Sequence, residues 1–345
     1  MSKIKISDVT LRDGNHAVSH QISKKIIDVY SNFAEQNNID ILEVGHGNGL
    51  GASSLTIGRS KITNLEAIKV AKKNLKKTKL SVHSIPGFST FDDLKSAIDN
   101  GVDIIRIGCN SSDIDIIEKQ FLYCRKNKVD AWCVFMMFHQ ILSKKKYLKI
   151  IKDLKTFGLK TFIVMDSAGI LLPEDIVRIF KSLKKLNIES GFHGHNNLGC
   201  AVTNTLEAVK NGAKIIDCSL RGFGAGAGNA QLEVVLAILN KMKIVKKYDV
   251  KKYFEMSDYF IKLLENNNLR YKDVFSKPIN ISTGLNGLFS GFSSKITNFA
   301  EKYKVSPFEI SNLAGEKKLV AGQEDLLMNI AHNLYQAKKN NENNN

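Results

Sequence analysis

The sequence lacks several features that would place it in a special class of protein. None of its apolar runs reaches the roughly 18 residues of a membrane-spanning helix. Residues 1–8 contain no apolar signal core, and the five cysteines form no C-x-x-C pair. An odd number of cysteines without such a pair is typical of reduced thiols. We therefore expect a cytoplasmic protein without a membrane segment.

The sequence has fewer acidic than basic residues. It contains 34 Asp and Glu against 50 Lys and Arg, which gives a formal net charge of +16. The lysines occur in short groups along the chain, such as Lys72-Lys73 and Lys144–Lys146. Neither an arginine-rich block nor a set of interleaved aromatic residues accompanies them. This pattern favours solvated helical surfaces over a nucleic-acid site, so we expect no nucleic-acid partner.

Apolar, β-branched runs alternate with segments of helical period along most of the 345 residues. The predicted strands are 4–10, 39–45, 79–83, 102–107, 130–136, 160–165, 189–193 and 214–219. The predicted helices between them are 23–36, 62–75, 90–99, 113–126, 143–156, 173–186, 197–210 and 229–242. Eight βα units predict an α/β fold of the (β/α)₈ TIM-barrel class, and a doubly wound sheet is the alternative.

Polar residues are concentrated where the predicted strands end, which is where barrels of this class carry their chemistry. These positions hold Arg12, Asp13, His16, His46, His83, Arg106, Asp166, Ser167, His193, His195 and Arg221. Because the rest of each strand is apolar, this asymmetry predicts an active site at that end. Asp166-Ser167 have two interpretations that stay open here, a turn of the chain and a contact with substrate.

Asp13, His193 and His195 form the strongest candidate for a metal site. Residues two apart in a strand point the same way, so the two imidazoles can face one point. Two unrelated polar residues are the alternative interpretation of the histidine pair, and Asp13 makes the metal the better one. Two nitrogen ligands and one carboxylate suit a divalent ion, Mn²⁺ first, with Mg²⁺, Co²⁺ or Zn²⁺ as alternatives.

Two residues beside Asp13 are candidates for the chemistry itself. Arg12 is always charged and suits a carboxylate or a developing oxyanion. His16 is the candidate general base, because its ordinary pKa lies near neutrality. The glycine-rich loop 221–230 offers backbone amides that could bind an anion, although such loops also serve simply to turn the chain.

The chain resembles the 4-hydroxy-2-oxoacid aldolases, also called 4-hydroxy-2-oxovalerate aldolases. These are class II enzymes of the larger metal-dependent lyase family that includes hydroxymethylglutaryl-CoA lyase and isopropylmalate synthase. The resemblance covers nearly the whole chain. The segments that carry it are 8–14 with His16 and His20-Gln21, 43–47 with 49–51, Ser53-Ser54, 166–169, 193–199, 220–222, 224–233 and 320–325.

The resemblance implies a mechanism that agrees with the residues. Asp13, His193 and His195 would hold the metal, Arg12 the enolate, and His16 would take the proton of the 4-hydroxyl group. Loss of that proton breaks C3–C4 and releases an aldehyde and a metal-bound pyruvate enolate. The resemblance also implies that Arg12, Ser167, His193 and Phe289 lie at the substrate, which is a 2-oxoacid.

One position departs from the family. A tyrosine is typical of the family segment that corresponds to 284–292, and this chain has Phe289 there. The family tyrosine helps to position the reacting alcohol, so the rate, stereochemistry and preferred direction of the reaction are open. Condensation of pyruvate with an aldehyde is therefore an alternative to cleavage as the physiological direction.

We expect three parts of the chain. These are a catalytic barrel over 1–250, a helical C-terminal communication domain over 251–338, and a disordered tail over 339–345, which is rich in asparagine. The resemblance implies that the C-terminal part docks an acylating aldehyde dehydrogenase, so a homo- or hetero-oligomer is expected. Two other functions remain as alternatives, an acetyl-CoA-dependent condensing enzyme and a catalytically impaired homologue that binds a partner.

Overall fold

Eight parallel strands close into a barrel in the computed structural model, which describes residues 4–110, 113–271 and 275–343. The strands are Lys5–Leu11 (β1), Ile41–Val44 (β2), Lys79–Ser84 (β3), Ile104–Cys109 (β4), Asp130–Phe135 (β5), Thr161–Asp166 (β6), Glu189–Gly194 (β7) and Ile215–Cys218 (β8). Each pairs in parallel with the next, and β8 pairs with β1. The predicted TIM-barrel class is confirmed.

Helices connect the strands and continue beyond the last one. Those of the barrel are Lys24–Gln36 (α1), Asn64–Asn74 (α2), Phe91–Asp99 (α3), Ile114–Lys126 (α4), Lys144–Thr156 (α5), Pro173–Leu183 (α6), Ala201–Lys210 (α7) and Leu232–Lys241 (α8). Those that follow are Val250–Glu265 (α9), Pro278–Leu285 (α10), Phe292–Tyr303 (α11), Pro307–Glu316 (α12) and Glu324–Asn343 (α13). No described helix combines the length and apolar character needed to cross a bilayer.

Local signals explain where several helices begin. Thr63 and Glu66 form a reciprocal capping box at the start of α2, and Thr90 and Asp93 do the same for α3. Pro173 occupies the first turn of α6, where its missing amide proton costs nothing. These interactions satisfy amide groups that have no partner within the helix, and they agree with the predicted boundaries.

α7 begins four residues later than predicted. The prediction started the helix at 197, but Gly199 adopts a φ of +74°, which is incompatible with a helix. The side chain of Asn196 accepts a hydrogen bond from the amide of Ala201 at 3.2 Å. The segment between β7 and α7 is therefore a turn rather than a first helical turn, and the side chain of Asn196 binds the first amide of α7.

The interior of the barrel has an apolar layer and, towards the carboxyl ends of the strands, a charged one. Ile41, Ile104 and Ile215 belong to one buried cluster. Two residues further along the same strands are Glu43, Arg106 and Asp217, all at most 1% exposed. Because side chains alternate in a strand, this charged layer lies directly above the apolar one, and it supports the mouth of the barrel.

The C-terminal helices divide by what they pack against. α9 buries Tyr253, Phe260 and Leu264 in the core of the barrel, although the predicted division assigns this helix to the C-terminal domain. α10–α13 and the loops between them enclose a separate apolar cluster, and we call residues 278–343 the helical unit. α13 continues to Asn343 through part of the tail expected to be disordered, and residues 344–345 lie outside the described residues.

Candidate active site

Three side chains meet at the C-terminal mouth of the barrel. A 3₁₀ turn, Asp13–His16, follows β1 and carries Asp13, whereas His193 lies on β7 and His195 directly after it. Nε2 of His193 lies 3.2 Å from Oδ2 of Asp13, and Nε2 of His195 lies 3.8 Å from it. The structure thus brings together the three residues predicted as metal ligands, and we call them the ligand cluster.

The surroundings of the ligand cluster suit a cation. Asp217 accepts a hydrogen bond from Nδ1 of His193 at 2.9 Å, so Nε2 of the same ring is directed at Asp13. Neither this Nε2 nor either ring nitrogen of His195 has a hydrogen-bond partner within the described residues. All three members of the cluster are at most 2% exposed. Buried nitrogen lone pairs beside a carboxylate fit a divalent ion.

The neighbouring charges keep Asp13 ionised. Burial alone would raise the pKa of Asp13, but the charge of Arg12 and the two histidines hold it well below its usual range. Asn229 also donates from Nδ2 to Oδ2 of Asp13 at 3.2 Å. An ionised carboxylate is the form that binds a metal ion.

The guanidinium of Arg12 lies beside the ligand cluster and is held on two sides. Its Nε donates to Oε2 of Glu43 at 2.7 Å, and its Nη1 donates to the carbonyl of Gly47 at 3.2 Å. Its Nη2 has no partner among the described residues. One donor of a fixed cation therefore remains for an oxyanion at the mouth of the barrel.

His16 stands at the rim of the ligand cluster. Its Nε2 lies 3.9 Å from Oδ1 of Asp13, and its side chain is 15% exposed. The ring occupies space that any side chain at Gly47 would take, because a Cβ there would lie 2.5 Å from Nε2. Burial lowers the pKa of His16 to about 3. The imidazole is therefore neutral at pH 7, the form that accepts a proton.

A segment of the helical unit covers the mouth. The amide of Ser290 donates to the carbonyl of Ser167 at 2.9 Å, and its Oγ donates to Oδ1 of Asn197 at 2.7 Å. The ring centroid of Phe289 lies 6.2 Å from that of His16 and 6.5 Å from that of His195. Phe289 thus faces the predicted base and a predicted ligand with an apolar ring.

A cavity of about 420 Å³ opens beside these groups. Arg12, Asp13, His16, Ser167 and Phe289 line it, which brings most of the predicted site residues to one space. The Oγ of Ser167 accepts a hydrogen bond from the amide of Met137 at 3.0 Å. Its hydroxyl proton can still point into the cavity, because accepting that bond does not use it.

A second cavity of about 430 Å³ lies on the other side of Phe289, between the barrel and the helical unit. The two cavities have His16, Asn48 and Phe289 in common. Lys277, Lys295 and Glu324 make the wall of the second one more polar. Phe289 therefore lines both the cavity at the predicted active site and the cavity beside the helical unit.

Other polar residues at the strand ends make contacts that stabilise the surrounding turns and loops. The carboxylate of Asp166 accepts from the amides of Ile170 and Leu171, which stabilises its own turn. The ring of His46 stacks on that of His20 with centroids 3.8 Å apart. The amide of Arg221 is held by Glu233, and this arginine is absent from the residues that line the first cavity.

Four residues without a role predicted from the sequence contribute to the site: Glu43, Asn48, Asp217 and Asn229. Two of them carry a recognisable signal. Glu43 and Asp217 each come two residues after an isoleucine of a predicted strand, so their side chains point inward with it. An inward carboxylate near a strand end requires a cation or a histidine, and here these are Arg12, Arg106 and His193.

The glycine-rich loop after β8 has a different use from anion binding. Its last polar residue, Asn229, donates to Asp13 and to the carbonyl of Phe223. The positions Gly226 and Gly228 adopt left-handed backbone conformations, and a Cβ at Gly226 would lie 2.2 Å from Oγ of Ser290. These glycines admit the segment of the helical unit that covers the mouth.

Comparison with known families gives two matches along the chain. The HMGL-like family matches residues 3–260, and the DmpG-like communication domain matches residues 275–336. The first match spans the barrel together with most of α9, and the second spans most of the helical unit. The resemblance described from the sequence motifs is therefore confirmed.

Individual relatives and solved structures agree with these matches. The chain is 38% identical to a 4-hydroxy-2-oxovalerate aldolase of Pectobacterium atrosepticum over 98% of its own length and 97% of the relative. It is 40% identical to another of Spirochaeta aurantia, over 94% of each. The carboxyl transferase domain of Rhizobium etli pyruvate carboxylase, solved with pyruvate and biocytin, is similar in fold alone. That similarity has a TM-score of 0.82 at 14% identity, covering 97% of this chain and 61% of that one.

Proposed function

Because the chain belongs to the HMGL-like family, and within it to the 4-hydroxy-2-oxovalerate aldolases, we propose that its ligand cluster serves this carbon–carbon lyase reaction. The enzyme is a divalent-metal-dependent aldolase that cleaves 4-hydroxy-2-oxoacids, such as 4-hydroxy-2-oxopentanoate, to pyruvate and an aldehyde or forms them. The observation that carries the proposal is the convergence of Asp13, His193 and His195 beside the cavity. This function is favoured over the acetyl-CoA-dependent alternative.

We propose that Asp13, His193 and His195 hold Mn²⁺, with Mg²⁺, Co²⁺ and Zn²⁺ as alternatives. Their ligand atoms all lie within 4.8 Å of one another. Borderline imidazoles combined with a hard carboxylate suit this group of ions. When bound, such an ion polarises the 2-oxo group and stabilises negative charge that develops on it.

The remaining roles follow from the positions of the side chains. Arg12, held by Glu43 and with Nη2 unpaired, binds the carboxylate or the oxyanion of the substrate. His16, neutral and at the rim of the cavity, takes the proton of the 4-hydroxyl group as C3–C4 breaks. Ser167 and Phe289 line the same cavity and orient the substrate, together with His193.

We propose a two-domain organisation in which the helical C-terminal part docks an acylating aldehyde dehydrogenase. The match of residues 275–336 to a communication domain supports this partner. The second cavity supports it as well, since it leads from Phe289 and His16 towards the helical unit. An aldehyde released beside His16 therefore has a route away from the barrel mouth. All five cysteines are free thiols, which suits the cytoplasm.

A metal-dependence assay tests the proposed function. The protein is stripped with excess chelator, reconstituted separately with each of the four ions, and assayed for pyruvate release from 4-hydroxy-2-oxopentanoate. We expect loss of activity in chelator and recovery with at least one ion, Mn²⁺ giving the highest rate. The matched control is His332→Ala, since His332 is exposed on α13 and the substitution should change neither result. Full activity in excess chelator would contradict the proposal.

A further inference from the structure

Two residues that line the first cavity have polar side-chain atoms without a hydrogen-bond partner among the described residues. His83 lies on β3, and Asn48 lies in the segment after β2; both side chains line this cavity. They are only 2% and 4% exposed. Nδ1 of His83 and Oδ1 of Asn48 have no hydrogen-bond partner among the described residues. Buried polar atoms are rarely left so, because each unmade hydrogen bond costs free energy.

The backbone holds both residues in place. The carbonyl of His83 accepts a hydrogen bond from the amide of Leu50 at 2.8 Å, and a Cβ at Gly108 would lie 3.1 Å from Nε2 of His83. The ring therefore occupies space that only a glycine leaves. The amide of Asn48 donates to Nδ1 of His46 at 3.0 Å. These contacts of the two residues use neither Nδ1 of His83 nor Oδ1 of Asn48.

Their place in the barrel indicates which part of the substrate they meet. The ligand cluster comes from β1 and β7, and Arg12 follows β1, so the oxoacid end of the substrate is bound on that side. His83 is on β3, which is two strands from β1 and four strands from β7 in the closed barrel. Asn48 lines both cavities together with His16 and Phe289, so it lies on the side where the 4-hydroxyl group gives up its proton.

The chemistry of the wall selects the kind of group that these residues bind. A neutral imidazole and a carboxamide can each donate and accept a hydrogen bond, as a hydroxyl group does. Among the described residues that line this cavity, Arg12 is the one permanent cation, and Glu43 already pairs with it. The wall at His83 and Asn48 therefore offers no countercharge to an anionic group but can pair fully with a neutral hydroxyl.

We propose that His83 and Asn48 bind a hydroxyl group on the aldehyde part of the substrate, so that the enzyme prefers 4-hydroxy-2-oxoacids with a further hydroxyl at C5. This inference rests on the proposed function and names its substrate class. The aldehyde released or consumed is then a hydroxyaldehyde rather than a simple alkanal. A substrate without the hydroxyl leaves both buried groups unpaired, which is how such sites reject analogues.

Cleavage of two substrates that differ by a single oxygen atom tests the inference. The metal-reconstituted enzyme is assayed with 4,5-dihydroxy-2-oxopentanoate and with 4-hydroxy-2-oxopentanoate, and kcat/KM is compared. We expect the dihydroxy substrate to be preferred by about tenfold or more, the effect of one to two hydrogen bonds. In His83→Leu and in Asn48→Ala the ratio should fall towards one. His332→Leu is the matched control and should keep the wild-type ratio.

Three results would overturn the inference. Wild-type kcat/KM that is equal for the two substrates, or higher for 4-hydroxy-2-oxopentanoate, removes the hydroxyl preference while leaving the aldolase function intact. An unchanged ratio in both variants removes the two residues from the subsite. Loss of pyruvate methyl-proton exchange in His83→Leu, with a normal melting temperature, assigns His83 to the oxoacid end instead.

Two further readouts separate failure of this inference from failure of the protein or of the proposed function. If His83→Leu does not fold, then His83→Asn, which retains a hydrogen-bonding side chain, and Asn48→Ala decide the result. His83→Asn should keep more of the preference than Asn48→Ala does. If the wild-type protein cleaves neither substrate and exchanges no pyruvate protons, the proposed function itself is wrong and this inference fails with it.

Discussion

The barrel and the helical unit contribute to the same cavity in different ways. The barrel provides its charged groups, among them Arg12, which is held by Glu43 on β2, and Asp13, which is held by Asn229 in the loop after β8. The helical unit contributes Phe289 and residues 320–323, none of which is charged. The barrel therefore positions the charged groups, whereas the helical unit shapes and covers the cavity beside them.

The largest expected effect is at the ligand cluster. His195→Ala should reduce aldol cleavage to background even in excess metal, because two ligands hold the ion far less tightly than three and negative charge on the substrate loses its main stabiliser. Pyruvate release and the amount of metal bound by the purified protein measure this. The melting temperature should stay near that of the wild type. Retained activity would mean that the reaction does not depend on His195 as a metal ligand.

The next largest effect is expected at His16, the proposed general base. His16→Ala should lower the turnover of aldol cleavage by about 10²–10⁴-fold, the usual contribution of a positioned proton acceptor. Exchange of pyruvate methyl protons should be reduced less, since the ligand cluster and Arg12 stabilise the enolate without His16. Comparing the two rates in one preparation is the measurement. Equal losses in both would show a structural role for His16.

A smaller effect on activity is expected from substitutions in the charged layer of Glu43, Arg106 and Asp217. Asp217→Asn should weaken metal binding by about 10–100-fold, because Asp217 orients His193 through Nδ1. Calorimetric titration with Mn²⁺ gives the affinity, and saturating metal should restore most of the activity. Thermal melting records the cost of removing one of the two carboxylates that pair with Arg106. Unchanged affinity would limit the role of this layer to folding.

The smallest effect belongs to the helical unit. Phe289→Tyr should alter turnover by up to about tenfold, or change the preference between substrate enantiomers, because one added hydrogen bond contributes about 0.5–1.5 kcal/mol. Metal and pyruvate binding should stay the same. Kinetics on both enantiomers of one 4-hydroxy-2-oxoacid provide the test. An effect larger than that of His16→Ala would contradict the view that the helical unit only shapes and covers the cavity.

Much of the barrel follows from local patterns in the sequence. Alternation of apolar strands with helical segments locates all eight strands, and the His193–His195 spacing places two imidazoles on one side of β7. These features depend on residues that are neighbours in sequence, where strand periodicity and turn chemistry apply. The link between Asp13 and the histidines is longer in sequence, and the barrel closure between β1 and β8 is what brings them near.

The parts that were harder to predict depend on contacts between distant segments. Asn229 reaches Asp13 across 216 positions of the chain, and no local pattern marks it as the partner of a carboxylate. α9 reads as the first helix of a C-terminal domain, yet it packs on the barrel because its aromatic residues meet α1. Whether side-chain atoms of His83 and Asn48 find hydrogen-bond partners depends on the segments packed around them. Strand alternation alone does not specify those surroundings.

The hydrogen bonds of Ser290 to Ser167 and Asn197 have a consequence for biosynthesis. All eight strands and α9 are complete by Glu265, so a growing chain on the ribosome can close the barrel and gather Asp13, His193 and His195 before Phe289 emerges. Until that segment packs on the barrel, the mouth is open to water, which would protonate an enolate before it adds to an aldehyde and so compete with condensation. Condensation therefore depends on the covering segment more than cleavage does, because cleavage ends with protonation of the enolate.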